Sequence, residues 1–284
     1  MTERDGGLEF AANVSLLFAE LPMLERFSAA AAAGFASVES WWPFGPAAVP
    51  PAAQVDAFVG AIEDCGIPQS GMNLFAGDQP AGERGLASDP RRRDEFAAAL
   101  EVTAGVARRT GCRGFNALYG QRLPGFTPEQ QDAVAVENLS AAVRRLGDLG
   151  GTVFVEPLAR GLNGAYPIET AAQAVAVVER VREATGRDEI GILFDTFHLA
   201  ANGEDLDAVI DRDLDWIAHV QVADSPGRGE PGTGTVDVAG VIGRLWDRGY
   251  RAVVAAEYVP TMATAASLGW VAGVPELHLA GHAG

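Results

Sequence analysis

One repeated alternation constrains this chain more than anything else in it. A short apolar run ends in a polar or acidic residue, a segment with helical apolar spacing follows, and the unit recurs about eight times. Runs such as Thr152-Val153-Phe154-Val155, Ile192-Leu193-Phe194 and Ala252-Val253-Val254-Ala255 are apolar throughout. Strands buried on both faces have this character, whereas strands with one wet face alternate. Strands separated by a helix must run parallel, because the helix returns the chain to its starting edge. Eight such units close most simply into an α/β fold of the (β/α)8 TIM-barrel type, whose C-terminal strand ends gather at one mouth. An open doubly wound sheet would leave two strand edges exposed and would not bring the ends of strands five to eight to one point.

In order along the chain, strands are predicted over 10–15, 35–39, 67–73 and 113–118, then in four runs that end at Glu156, Asp195, Gln221 and Glu257. Helices are predicted over 22–33, 52–65, 91–110, 127–149, 167–185, from about 206, over 236–248 and over 262–270. Pro22 and Thr127-Pro128 open two of them, and Gly34, Gly150-Gly151 and Gly186 close others. The stretch 76–88 is long for a connection and reads as a lid. The whole, 1–284, reads as a single domain with the barrel over about 9–270 and a C-terminal tail over 271–284.

A hydrophobic share of 48% and a charged share of 21% are those of a globular chain. The formal net charge is −17, and Arg91-Arg92-Arg93, the only basic cluster, precedes a helical pattern as a solvated first turn would. Phosphate neutralisation needs a basic surface, so nucleic acid is not an expected partner. No apolar run reaches membrane-spanning length, and Met1 to Ala12 carries Glu3, Asp5 and Glu9, unlike a secretory leader. The expectation is a soluble cytoplasmic protein with no membrane partner and a small-molecule substrate; a homo-oligomer is left open. Cys65 and Cys112 lack metal-type spacing and read as unpaired thiols in a reducing compartment.

Glu156, Asp195 and Glu257 at one barrel mouth would set three negative charges together, a costly arrangement unless a cation compensates them. Any one strand-end acid could be a helix cap or half of a surface ion pair. Four oxygen donors on four successive strands, with Gln221 as the fourth, point to a divalent metal, Mg²⁺ or Mn²⁺. His219 shares a strand face with Gln221 one layer deeper, and reads equally as a packed core residue or a functional one. Trp41, Trp42 and Phe44 either wall a pocket or pack on a neighbouring loop. Gly227 to Gly232 matches G-x-G-x-x-G, but it follows the seventh strand and holds Glu230 and Pro231, which spoil a pyrophosphate cradle.

Phe10-Ala11-Ala12-Asn13-Val14-Ser15, Val155-Glu156-Pro157-Leu158, Leu193-Phe194-Asp195-Thr196-Phe197-His198, His219-Val220-Gln221-Val222-Ala223 and Glu257-Tyr258 with Leu268-Gly269-Trp270 fall in order along the chain. In these motifs it resembles the hydroxypyruvate isomerase family of the xylose-isomerase-like TIM barrels. The resemblance implies a divalent metal held by Glu156, Asp195, Gln221 and Glu257. It implies His198 and Arg228 reaching the substrate, and Glu156 and Glu257 as the catalytic proton-transfer pair. Hydroxypyruvate would become tartronate semialdehyde through an enediolate held at the metal. Arg228, His198 and Asn73 are the candidate partners of the substrate carboxylate. Val259 stands where the family usually carries Lys, two residues after the Tyr of the last strand.

Rival readings are a 2-oxo-tetronate isomerase, a ketose 3-epimerase, which usually has His where Gln221 stands, and a dehydratase of the inositol-catabolic branch. A non-catalytic sugar-acid binder would have no need of two glutamates beside one metal. An endonuclease on this barrel would need a His-rich multi-zinc site and a basic surface.

Overall fold

In the computed structural model, which describes residues 7–280, the strands are β1 (Phe10–Asn13), β2 (Ser37–Ser40), β3 (Gln69–Asn73), β4 (Gly114–Asn116), β5 (Thr152–Val155), β6 (Ile190–Asp195), β7 (Ile217–Val222) and β8 (Val254–Ala256). They follow one another around a closed barrel in sequence order. Every neighbouring pair is parallel, and β8 closes on β1 through Phe10 opposite Val254 and Ala12 opposite Ala256. The closed α/β barrel expected from the alternation is the one observed. It leaves no strand edge unpaired and sets every strand's C-terminal end on one face.

The helices are α1 (Arg26–Ala32), α2 (Ala52–Cys65), α3 (Arg93–Thr110), α4 (Pro128–Gly147), α5 (Ala171–Thr185), α6 (Thr196–Ala201), α7 (Leu206–Asp213), α8 (Val238–Asp247) and α9 (Thr264–Ser267). Their ends follow from local chemistry. Thr127 and Thr170 each accept from the backbone N–H three residues on, while Gln130 and Gln173 reach back to the cap, closing two capping boxes. Each is worth about 1 kcal/mol. Helix α8 shows how the outer ring is fixed: Val238, Val241, Ile242 and Leu245 form one buried stripe at helical spacing. Burial of each such side chain contributes roughly 1.5–3 kcal/mol.

Three local expectations are corrected. Helix α5 begins at Ala171 and not at Pro167, because Thr170 is the residue whose side chain caps it. A short helix that the apolar pattern did not announce, α6, starts at Thr196 directly after Asp195. The last expected helix, 262–270, is the single turn α9 followed by a tighter 3-10 segment, Leu268–Gly273. The stretch 76–88 is folded down onto the mouth: Gly85 N–H donates to Ala76 O (2.9 Å), Gly85 pairs with Tyr119, and Leu86 to Asp89 are buried. Gly85 holds a φ of 106°, and a Cβ there would lie 2.1 Å from Leu118 O, so only glycine fits this approach.

Beyond the 3-10 segment the chain returns beneath the barrel floor, where Leu8 N–H donates to Glu276 O (2.8 Å) and Ala280 N–H to Gly34 O (2.8 Å). Residues 281–284 of the expected tail, and residues 1–6 with Glu3 and Asp5, lie outside the described part. No described helix is long and apolar enough to cross a membrane.

Candidate active site

Each predicted donor sits where its strand ends. Asp195 closes β6 opposite Gln221 of β7, while Glu156 and Glu257 are the residues that follow β5 and β8. All four are buried. Ligand atoms of Glu156, Asp195 and His198 lie within 4.8 Å of one another. Glu257 is joined to this group through Arg228, whose Nη2 donates to Asp195 Oδ2 (3.3 Å) and to Glu257 Oε2 (2.5 Å). One nitrogen thus spans two carboxylates, and the sequence-predicted arginine occupies the space between them.

The local fold decides which oxygens face the centre. Asp195 is the N-cap of α6, and its Oδ1 accepts from the N–H groups of Phe197 (2.7 Å) and His198 (3.2 Å), which leaves Oδ2 for the site. Glu156 Oε2 accepts from Asn116 Nδ2 (2.6 Å), leaving Oε1, 3.6 Å from His198 Nε2. Glu257 Oε1 accepts from Asn13 Nδ2 (2.8 Å) and Trp41 Nε1 (2.6 Å). Gln221 donates from Nε2 to Glu39 Oε1 (2.6 Å), and its own Oε1 is buried without a hydrogen-bond partner among the described residues.

Electrostatics follow from burial. The Glu156 carboxyl is pushed up to about 8 by loss of water, with the Asp195 charge adding to it. Glu257 is likewise held well above the carboxylate range, burial outweighing the Arg228 guanidinium. His198 is driven down to about 4 by burial and is neutral at pH 7. Its Nδ1 accepts from Ala159 N–H (3.0 Å), so the neutral ring carries its proton on Nε2, facing the Glu156 and Asp195 oxygens. A ring in that tautomer offers a donor to the cavity and not a lone pair.

Arg228 holds a left-handed φ of 58°, which costs a side-chain-bearing residue about 1–2 kcal/mol. Its conformation is set by a loop built on buried Asp224, which accepts from the N–H groups of Ser225, Gly232, Gly234 and Val236 at 2.8 to 2.9 Å. Asn73, the remaining candidate, lines the same mouth cavity as Glu156, His198, Arg228 and Glu257, and its side chain makes no hydrogen bond among the described residues. The cavity measures about 450 Å³. Trp41 and Trp42 wall it, with Trp42 packed edge-on against Phe44 and Phe75.

Sequence reasoning passed over Glu39. This buried acid of β2 accepts from Asn13 Nδ2 (2.9 Å) and Gln221 Nε2 (2.6 Å), and its Oε2 lies 2.7 Å from His219 Nε2. A Cβ on Gly71 of the next strand would come within 3.1 Å of Glu39 Oε2, so the bare glycine leaves room for it. The signal that singled out the other acids, a carboxylate ending a buried strand, was present at Glu39 as well. His219 is stacked on Phe154, ring centroids 5.0 Å apart, and belongs to this deeper layer.

The donor set suits a hard divalent cation: of three buried carboxylates the one guanidinium contacts two, Asp195 and Glu257, and the buried Gln221 Oε1 has no partner among the described residues. Buried polar atoms are rarely left unpaired, and a cation would satisfy this one along with the surplus negative charge.

The model of the xylose isomerase-like TIM barrel family matches residues 27–273. A putative hydroxypyruvate isomerase of Streptomyces coelicolor is 46% identical over 88% of this chain and 90% of its own length. The hydroxypyruvate isomerase of Escherichia coli is 31% identical over 93% of this chain and 98% of its own. A crystal structure from Brucella melitensis named AP endonuclease, family 2, superposes with a TM-score of 0.84 at 32% identity, covering 94% of this chain and 98% of that one. With the barrel and the order of its motifs, these likenesses show that the chain belongs to the hydroxypyruvate isomerase family of the xylose isomerase-like TIM barrels.

Proposed function

We propose that this isomerase interconverts hydroxypyruvate and tartronate semialdehyde, with Glu156 and Glu257 moving the proton between adjacent carbons. The observation that carries the reading is the pair itself: two buried glutamates line one cavity with a histidine and an arginine. A carboxylate can take the proton from a C–H acidified by the neighbouring carbonyl, and its conjugate acid can return it.

Mg²⁺ or Mn²⁺, held by Glu156, Asp195, Gln221 and Glu257, would supply Lewis-acid polarisation of the substrate carbonyl and compensate the buried charge. The rest falls to the chain. One glutamate takes the proton from C3 of hydroxypyruvate, giving an enediolate, and a carboxyl of the pair returns a proton to C2. The hydroxyl proton passes from the C3 oxygen to the C2 oxygen, so the carbonyl moves one carbon and nothing is gained or lost. His198 Nε2–H is placed to donate to whichever oxygen carries the developing charge. Asn116, Asn13 and Trp41 fix the glutamate rotamers.

The endonuclease name of the Brucella structure draws no support from charge. The chain carries −17, and the arginines of its single basic cluster are engaged by Asp89, Glu83, Glu95 and Glu137.

The test is a panel of hydroxypyruvate, four-carbon 2-oxo acids and free ketoses, assayed with Mg²⁺, with Mn²⁺ and after chelation. Turnover of the acids that is lost on chelation supports the reading. Preference for free ketoses over acids would replace it with epimerase chemistry.

A further inference from the structure

Two arginines line the mouth cavity, and they are held in different ways. Arg228 is engaged by the carboxylates of Asp195 and Glu257. Arg84 is not engaged by any acid: its Nε donates to Asn163 Oδ1 (3.1 Å) and its Nη1 to the carbonyl oxygens of Gln79 (2.9 Å) and Glu83 (2.7 Å). Its Nη2 makes no hydrogen bond, and no carboxylate lies within salt-bridge distance of its guanidinium among the described residues. The adjacent Glu83 carboxylate is turned elsewhere, to Arg92 Nη1 (2.6 Å) and Asp78 N–H (2.6 Å).

Three neutral acceptors therefore fix the plane of a half-buried guanidinium while leaving its charge without a counter-ion, in a chain with seventeen surplus negative charges. The support is stiff. Arg84 precedes Gly85, whose left-handed backbone is bonded to Ala76 and paired with Tyr119, and Asn163 is itself anchored by Nδ2 to Ala159 O (3.1 Å). A preorganised, unpaired arginine in a ligand cavity recognises an anion, because the planar fork loses little freedom when a carboxylate docks on it.

We propose that Arg84 is the specificity-determining residue that reads the substrate's carboxylate, so that the cavity selects hydroxy-oxo acids over neutral sugars of the same length. This rests on the proposed isomerase reading for the identity of the acid, though not for the binding of the anion. Arg228, already committed to two carboxylates, is left to the reacting end.

The experiment compares Arg84→Gln and Arg84→Lys with the wild type in two measurements on the Mn²⁺-loaded protein. Calorimetry reads the binding of glycerate and of glyceramide, its uncharged amide; steady-state kinetics reads hydroxypyruvate against dihydroxyacetone. The wild type is expected to bind glycerate more tightly than glyceramide. In Arg84→Gln that preference is lost, and KM for hydroxypyruvate rises about 10- to 100-fold with kcat little changed. Dihydroxyacetone kinetics and Mn²⁺ affinity stay as in the wild type, and Arg84→Lys recovers part of the acid preference. A wild type with no preference for glycerate overturns the proposal, as does an Arg84→Gln protein that keeps it or loses acid and neutral ligands equally. A wild type that prefers glycerate but turns over neither substrate sinks the isomerase reading and leaves the anion site standing.

Discussion

Gln221 donates its amide hydrogen to Glu39 over 2.6 Å, and this bond fixes which end of the amide is left over. The remaining end is an oxygen, buried and unpaired among the described residues. Glu39 in turn is steadied by Asn13 and His219, so the orientation of the Gln221 amide is set within the inner layer of side chains that it shares with them.

Glu39→Gln is therefore expected to weaken divalent-cation binding about tenfold or more, the usual size of the effect when a ligand's supporting partner is changed. Titration of Mn²⁺ followed by electron paramagnetic resonance reads the free ion directly. An unchanged dissociation constant would mean that the Gln221 amide is oriented by something other than Glu39.

Glu257→Gln keeps the shape of the side chain and removes its basicity. The variant should fold, with a lowered melting temperature because Arg228 loses a buried counter-charge, while exchange of the substrate's C3 hydrogen with D₂O slows by about 10²–10⁴. Exchange at the wild-type rate, followed by proton NMR, would refute the two-glutamate mechanism.

Exhaustive chelation should abolish turnover, and Mg²⁺ or Mn²⁺ should restore it. Because a cation that binds only the folded chain stabilises it by mass action, saturation at about 100 times the dissociation constant should add about 2.7 kcal/mol to stability. Full activity after chelation, with no thermal shift on adding the ion back, would rule out the metal assignment.

Asp224 gives a pH-dependent test. Burial alone would raise its pKa, but the backbone N–H groups of Val236, Gly234, Gly232 and Ser225 outweigh that and hold it below the ordinary value. A depressed carboxylate contributes stability above its unfolded pKa of about 3.9 and loses it as pH falls through the folded value. Asp224→Asn should thus cost about 2–3 kcal/mol at pH 7, and the gap to wild type should narrow in acid. Denaturant unfolding at pH 7 and pH 3 measures both; a gap that widens in acid contradicts the sign.

The barrel and the places of Glu156, Asp195, Gln221 and Glu257 at its strand ends could be read from the chain because in each case an apolar run stops abruptly at a polar or acidic residue. Glu39 also ends an expected strand, but the signal is weaker there because β2, Ser37-Val38-Glu39-Ser40, is broken up by serines and has no unbroken apolar run before the acid. Helix α6 was not legible because Thr196-Phe197-His198-Leu199 follows β6 with no break residue between them, and only the Asp195 side chain, by capping, announces the change. The long segment 76–88 was legible as unusual in length, but its tethering depends on a left-handed Gly85 and on Tyr119, thirty-four positions away. Spacing along a sequence carries no trace of such a pairing.

That Asp195 caps α6 with one oxygen has a consequence for how this protein can change. The same carboxyl group begins a helix with Oδ1 and meets Arg228 with Oδ2, so under the proposed metal reading it has a single oxygen to offer a cation. Lengthening it to glutamate would shift the helix start and the site together. Of the donors around the mouth, this is the one whose replacement disturbs architecture and chemistry in a single step, and redesign of the site for another ion or substrate should leave it in place.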